Sequence, residues 1–162
     1  HASGYDIPLA FAGLPYWLIS VAKIELKSVF ILGWVMETAG HIFVDRKRSE
    51  NAIASLEISK ESLLKNPRSI LLFPEGTRTM DGELGFFKRG GLMLSLDTGI
   101  PIVPVGLVGT FEMLKKGTWS FKNQPLEIRI GNPIHPKTFS NDSKNSLAKY
   151  VKSQVQALLD QN

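Results

Sequence analysis

Along the chain, short apolar runs alternate with longer stretches in which hydrophobic residues recur every three or four positions. Ile70, Leu71, Leu72 and Phe73 form a run too short for a helix, and it reads as a buried strand stopped by Pro74 and Gly76. HIFVDR (41–46), Ile100–Val108 and Leu126–Ile130 read as further strands, the prolines of the second pointing to an edge or irregular pairing. Val21, Ile24 and Leu26 predict another short strand. From Ile7 to Ala22 no residue is charged, yet Pro8, Gly13 and Pro15 interrupt the run. A membrane span needs roughly 18 or more apolar residues, so a buried helix followed by a loop is expected here. Residues 28–39 are apolar on nearly every side and read as an internal helix. A helix is expected from Ser49 or Glu50, carrying Ile53, Leu56, Leu63 and Leu64 and ending at Asn66 and Pro67. Another surrounds GLMLSLDTG (91–99). Leu147, Val151, Val155 and Leu158 stand at helical spacing and predict a C-terminal helix. Strands alternating with helices predict an α/β fold, a single domain with a mixed, largely parallel sheet flanked by helices.

Composition narrows the chemistry more than the fold. The 162 residues contain no cysteine, which excludes a disulfide framework, thiolate metal ligands and a cysteine nucleophile. His1, His41 and His135 are widely spaced, so no metal site is expected. The net charge of +4 favours an anionic partner. Arg46-Lys47-Arg48, Arg78 and Lys88-Arg89 each fall after an expected strand or before an expected helix. If the strands are parallel neighbours, these cations share one sheet edge with helix N-termini, a setting that suits a phosphate. Neither a P-loop nor a dinucleotide fingerprint is present. The basic residues are not interleaved with aromatics for base stacking, so no nucleic acid is expected as a partner. The chain opens on His1 rather than methionine, which suggests a segment of a longer protein.

Two charge pairings carry the candidate chemistry. In LLFPEGTRT (71–79), Glu75 and Arg78 stand where a buried strand empties into a loop, the usual place for ligands in α/β proteins. A Glu–Arg pair tying down a surface turn is the plainer alternative. In HASGYD (1–6), His1 and Asp6 are five residues apart, and only a bend at Ser3-Gly4 brings them together. Asp6 precedes Ile7-Pro8 as an N-cap would. A carboxylate held there accepts the imidazole Nδ1–H and leaves Nε2 to take a proton from a hydroxyl. No serine elbow accompanies the pair.

Four motifs then stand in order: H-x4-D (His1 to Asp6), G-H-I-F-V-D-R (Gly40 to Arg46), F-P-E-G-T-R (Phe73 to Arg78) and I-V-P-V (Ile102 to Val105). Together with F-K-R-G (Phe87 to Gly90) they resemble the glycerolipid acyltransferases, most closely the 1-acylglycerol-3-phosphate acyltransferases, over residues 1 to about 133. The resemblance implies a glycerolphosphate acyltransferase-like fold spanning 1–162, without its N-terminal membrane-anchoring segment. It implies His1 and Asp6 as the catalytic pair, and Arg46, Glu75, Gly76, Thr77, Arg78 and Lys88 as substrate-binding residues. Within that set, Arg46 and Arg78 hold the acceptor phosphate with help from Lys88, and Glu75 orients Arg78 or receives a glycerol hydroxyl. No metal and no cofactor are implied. The implied partners are lysophosphatidic acid, acyl-CoA or acyl-carrier protein, and a membrane surface, at the cytoplasmic face. Rival readings are a related acyltransferase or transacylase with another acceptor, such as glycerol 3-phosphate or a lysophospholipid, and a non-catalytic phosphate- or lipid-binding module.

Overall fold

The structure, a computed structural model, describes residues 1–44, 60–61, 65, 68–115, 117–118, 120–136, 139 and 144–161. Arg46 with its basic neighbours, and most of the helix expected from Ser49, lie outside the described residues. The chain divides into two compact units, Pro15–Leu72 and the combination of His1–Leu14 with Phe73–Asn162.

The Pro15–Leu72 unit holds a parallel sheet. Strands β1 (Leu18–Lys23), β2 (Ile42–Val44) and β3 (Ser69–Leu71) lie in the order β2-β1-β3, with Val21 opposite Ile42 and Ile19 opposite Ile70. Parallel strands demand long crossovers. The β1–β2 crossover contains a 3₁₀ turn (Ile24–Ser28) and helix α2 (Leu32–Thr38). Ile19 and Ile42 form the buried centre, with Val21 and Ile70 packed around them.

Three expectations change here. The sheet strand begins at Leu18, inside the stretch read as helix and loop, because Leu18, Ile19 and Ala22 are buried in the sheet. The Val21–Leu26 strand accordingly ends at Lys23, and Ile24 starts the 3₁₀ turn. The helix within 28–39 is not internal: Phe30 is 91% exposed and Trp34 is 71% exposed. All-round apolar composition marks a segment that water disfavours, without saying what covers it.

His41 ties β1 to the residue before β2. The Ser20 backbone N–H donates to its Nδ1 at 3.0 Å, and the Ser20 hydroxyl lies 2.8 Å from the same nitrogen. Burial pushes the imidazole below its usual value of 6.5. Between that lowered value and 6.5 the unfolded chain binds more protons than the folded one. Stability should therefore be full above about pH 6.5, where both states are neutral, and decline as pH falls below it. Thermal midpoints between pH 7.5 and 5 test this, with His41→Asn, which keeps an acceptor near Nδ1, expected to flatten that part of the slope. An equal slope in the variant assigns the effect elsewhere.

The second unit begins with helix α1 (Asp6–Gly13) and continues, after Phe73, with α3 (Arg89–Thr98), β4 (Val105–Val108), α4 (Thr110–Met113), β5 (Glu127–Ile130) and α5 (Lys144–Leu159). β4 and β5 pair antiparallel, Val105 opposite Ile130, while Ile102 makes only a single bridge to Ile134. The Pro101 and Pro104 breaks explain why the 100–108 run is a strand only at its end. The core joins Phe87, Leu92, Ile134, Leu147, Ala148 and Val151, with Val155 packed against it. The spacing expected of the last helix is thus the face it buries. α1 buries only Asp6 and Ala10, so the expected apolar helix is largely surface. Among the described residues, the Pro15–Leu72 unit carries a parallel sheet and this unit an antiparallel strand pair, each with helices, as an α/β fold requires.

Candidate active site

The site is built on one unit, from the turn His1–Asp6, the loop 73–79 and the start of α3. In the turn, the Ser3 hydroxyl accepts the Tyr5 backbone N–H at 3.2 Å, closing the bend expected at Ser3-Gly4. His1 Nδ1 then lies 2.6 Å from Asp6 Oδ2. The same oxygen accepts the backbone N–H of Ala2 at 2.7 Å and of Ser3 at 3.0 Å. Asp6 is therefore not the N-cap that the sequence suggests. It is the first helical residue and makes no side-chain cap bond; its carboxylate reaches back to the preceding turn instead. The short contact from Oδ2 orients the imidazole with Nδ1 facing the carboxylate and Nε2 on the opposite side of the ring.

The loop 73–79 closes around His1 from the other side. The Phe73 ring stacks on the imidazole, centroids 4.1 Å apart and planes inclined by 25°. The amino terminus at His1 is bound to the buried Glu75 carboxylate, and the His1 carbonyl accepts the Thr79 N–H at 3.0 Å. The turn at Phe73–Gly76 is closed by the Gly76 N–H donating to the Phe73 carbonyl at 3.0 Å. Gly76 has φ of +70°, and a Cβ there would lie 3.0 Å from Lys88 Nζ. Glycine suits the left-handed backbone, and its lack of a side chain leaves room for the lysine end beside it.

Both described cations of the expected set border this arrangement. A Cβ on Gly4, within the His1–Asp6 turn, would sit 3.4 Å from Nη1 of Arg78. Lys88 is fixed through its backbone N–H, which donates to the Pro74 carbonyl at 2.8 Å, and it immediately precedes α3. The first turn of α3 carries no acidic residue, so its N-terminal dipole adds to the two side-chain charges. His1, Asp6, Glu75, Gly76, Arg78 and Lys88 are thereby gathered in one region. Thr77 is exposed on the same loop, and Arg46 lies outside the described residues.

One participant escapes a reading of the sequence alone. Phe73 looks like the last residue of a buried strand, and nothing local shows that it faces an imidazole 72 positions earlier in the chain. Glu75, expected to serve Arg78 or a substrate hydroxyl, is buried beside His1 and bound to its amino group.

Residues 1–108 match the sequence model of the Acyltransferase family. The 1-acyl-sn-glycerol-3-phosphate acyltransferase of Saccharomyces cerevisiae is 34% identical over 157 residues, covering 96% of this chain and 52% of that protein. The human 1-acyl-sn-glycerol-3-phosphate acyltransferase alpha is 30% identical over 155 residues, covering 96% of this chain and 55% of that one. The crystal structure of the 1-acyl-sn-glycerophosphate (LPA) acyltransferase PlsC from Thermotoga maritima matches with a TM-score of 0.82 and 33% identity, over 97% of this chain and 61% of that chain. The chain spans about half the length of the curated relatives it matches. With two thirds of its residues under one family model, and a fold shared with a solved relative at that identity, the chain belongs to the acyltransferase family.

Proposed function

We propose that this chain carries out acyl transfer from acyl-CoA or acyl-carrier protein to the 2-hydroxyl of 1-acylglycerol 3-phosphate, giving phosphatidic acid. The observation that carries this reading is the 2.6 Å contact between His1 Nδ1 and Asp6 Oδ2 beside two cations. Asp6 holds the proton on Nδ1, leaving Nε2 unprotonated. Nε2 takes the proton of the acceptor hydroxyl as its oxygen attacks the thioester carbonyl carbon. The C–O bond forms, the tetrahedral centre collapses, and the C–S bond breaks with the electron pair leaving on sulfur. The imidazolium, stabilised by Asp6, returns its proton to the thiolate.

The acceptor's phosphate is assigned to Arg78 and Lys88, with Arg46 as a third cation. A phosphomonoester carries about −1.5 to −2 charge near neutral pH, as a phosphorylated side chain does. Arginine binds two phosphate oxygens at once. A second part of the proposal is membrane association at the cytoplasmic face, where a lipid acceptor meets a water-soluble thioester. It is supported by the exposed Phe30, Ile31 and Trp34 of the Pro15–Leu72 unit, an apolar and aromatic surface suited to a lipid interface. No helix among the described residues is long and apolar enough to cross a membrane.

Thiol release from acyl-CoA with a panel of acceptors tests the reading. The expected order in kcat/KM is lysophosphatidic acid, then glycerol 3-phosphate, then lysophosphatidylcholine. Equal turnover of lysophosphatidylcholine would move the assignment to a different acceptor class. No thiol release with any acceptor, despite binding of lysophosphatidic acid, would leave a binding module.

A further inference from the structure

Ser3 lies between the proposed general base and its carboxylate in sequence, and it is wholly buried. Besides its carbonyl, which accepts the Asp6 N–H at 3.4 Å, its N–H and hydroxyl make three bonds that run in different directions. The backbone N–H donates to Asp6 Oδ2 at 3.0 Å, the hydroxyl oxygen accepts the Tyr5 N–H at 3.2 Å, and the hydroxyl proton goes to the Leu114 carbonyl at 2.7 Å. Leu114 is the residue that ends α4, and its own N–H donates to the Thr110 carbonyl at 3.1 Å. One side chain thus closes the turn that brings His1 to Asp6 and anchors that turn to a helix more than a hundred residues away.

Asp6 makes the anchor matter. All three donors reach the same oxygen, Oδ2, while Oδ1 is buried and has no hydrogen-bond partner among the described residues. Among the described residues, the carboxylate is thus oriented through one oxygen, by the Ala2–Ser3 backbone and the imidazole. If that backbone shifts by a few tenths of an ångström, the line from Oδ2 to Nδ1 shifts with it. Hydrogen bonds weaken steeply as they lose alignment, and small misplacements of catalytic groups cost far more in rate than in stability. The backbone of 2–3 is in turn fixed by what Ser3 grips, the Tyr5 N–H on one side and the α4 terminus on the other.

We propose that Ser3 is a positioning residue, whose hydroxyl clamps the His1–Asp6 turn to the end of α4 and so sets the alignment of the catalytic pair. This inference rests on the reading of His1 and Asp6 given above. It also gives a role to the segment that follows the I-V-P-V run. β4 and Gly109 deliver α4, and α4 supplies the carbonyl that Ser3 needs.

The test compares Ser3→Ala, Ser3→Thr and His1→Ala in the full-length protein, with folding checked by thermal unfolding. Two readouts separate positioning from bulk stability. The first is the kinetic split: Ser3→Ala should lower kcat about tenfold per folded molecule, with the KM of acceptor and of acyl donor within twofold of the parent. Ser3→Thr keeps the hydroxyl and should recover most of that loss. The second is the proton resonance of His1 Nδ1–H in histidine-labelled protein, expected downfield of the amide envelope. Ser3→Ala should broaden or shift it, and Ser3→Thr should retain it. Parental kcat and an unmoved resonance in Ser3→Ala, with His1→Ala inactive, would overturn the role of Ser3 alone. Full turnover in His1→Ala would instead overturn the underlying assignment of the base.

Discussion

His1→Ala is expected to lower acyl transfer by about 10²–10⁴-fold, the usual contribution of a general base, while the protein stays folded. The fold should tolerate the change because the His1 carbonyl, and not its side chain, accepts the Thr79 N–H of the loop at 75–79. The Asp6 carboxylate retains two backbone N–H donors after the imidazole is gone, so no uncompensated buried charge is created. The loss should fall on kcat, since the proton is taken in the transition state and contributes little to ground-state binding. Asp6→Asn should be comparably damaging for a different reason. The neutral amide cannot stabilise the imidazolium and no longer selects the Nδ1–H tautomer. Thiol-release kinetics with lysophosphatidic acid, read beside thermal midpoints, check both variants. A folded His1→Ala protein with near-normal turnover would remove His1 from the mechanism.

How much of this site is legible in the sequence depends on how local its cause is. The bend at Ser3-Gly4, the stop at Pro74 and Gly76, and the start of α3 after Lys88 are set by residues within a few positions, and turn chemistry identifies them. The α5 face is equally readable, since Leu147, Val151, Val155 and Leu158 repeat one helical period through a 16-residue element. Surroundings are what a local pattern does not carry. The 28–39 stretch reads as internal because it is apolar, whereas burial depends on what else packs against it, and Trp34 stands in the open. Asp6 reads as the cap of its own helix, yet its carboxylate turns back to Ala2 and Ser3, and the Ser3 side chain is held by the carbonyl of Leu114. The spacing of Glu75 and Arg78 suggests a local pair, and nothing in it announces that the Glu75 carboxylate also reaches a residue 74 positions earlier. His1, Asp6, Glu75, Gly76, Arg78 and Lys88 lie close together within one unit, but several of the bonds among these segments are long-range, and no local pattern encodes a partner that far away.

Arg78→Ala should separate the acceptor from the donor. Deleting a guanidinium that makes charged hydrogen bonds costs roughly 1.5–3 kcal/mol, about ten- to a hundred-fold or somewhat more in kcat/KM for lysophosphatidic acid. Arg78→Lys should recover only part, because an ammonium keeps the charge but not the planar pair of donors that matches two phosphate oxygens. The position of Arg78 makes the effect specific. Nη1 borders the His1–Asp6 turn at Gly4, and Lys88 Nζ borders Gly76 two residues before the arginine. A phosphate bridging these cations would hold the glycerol backbone a fixed distance from Nε2 of His1. Losing one contact therefore weakens binding and also blurs the approach of the 2-hydroxyl, so KM for the acceptor should rise and kcat should fall. On this assignment the acyl thioester is held by other groups, and its KM should stay within about twofold of the parent. The penalty should also shrink for lysophosphatidylcholine, whose diester carries one phosphate charge and has one oxygen covered. An effect of Arg78→Ala confined to the acyl donor, or one equal in size for the monoester and the diester, would place the phosphate elsewhere.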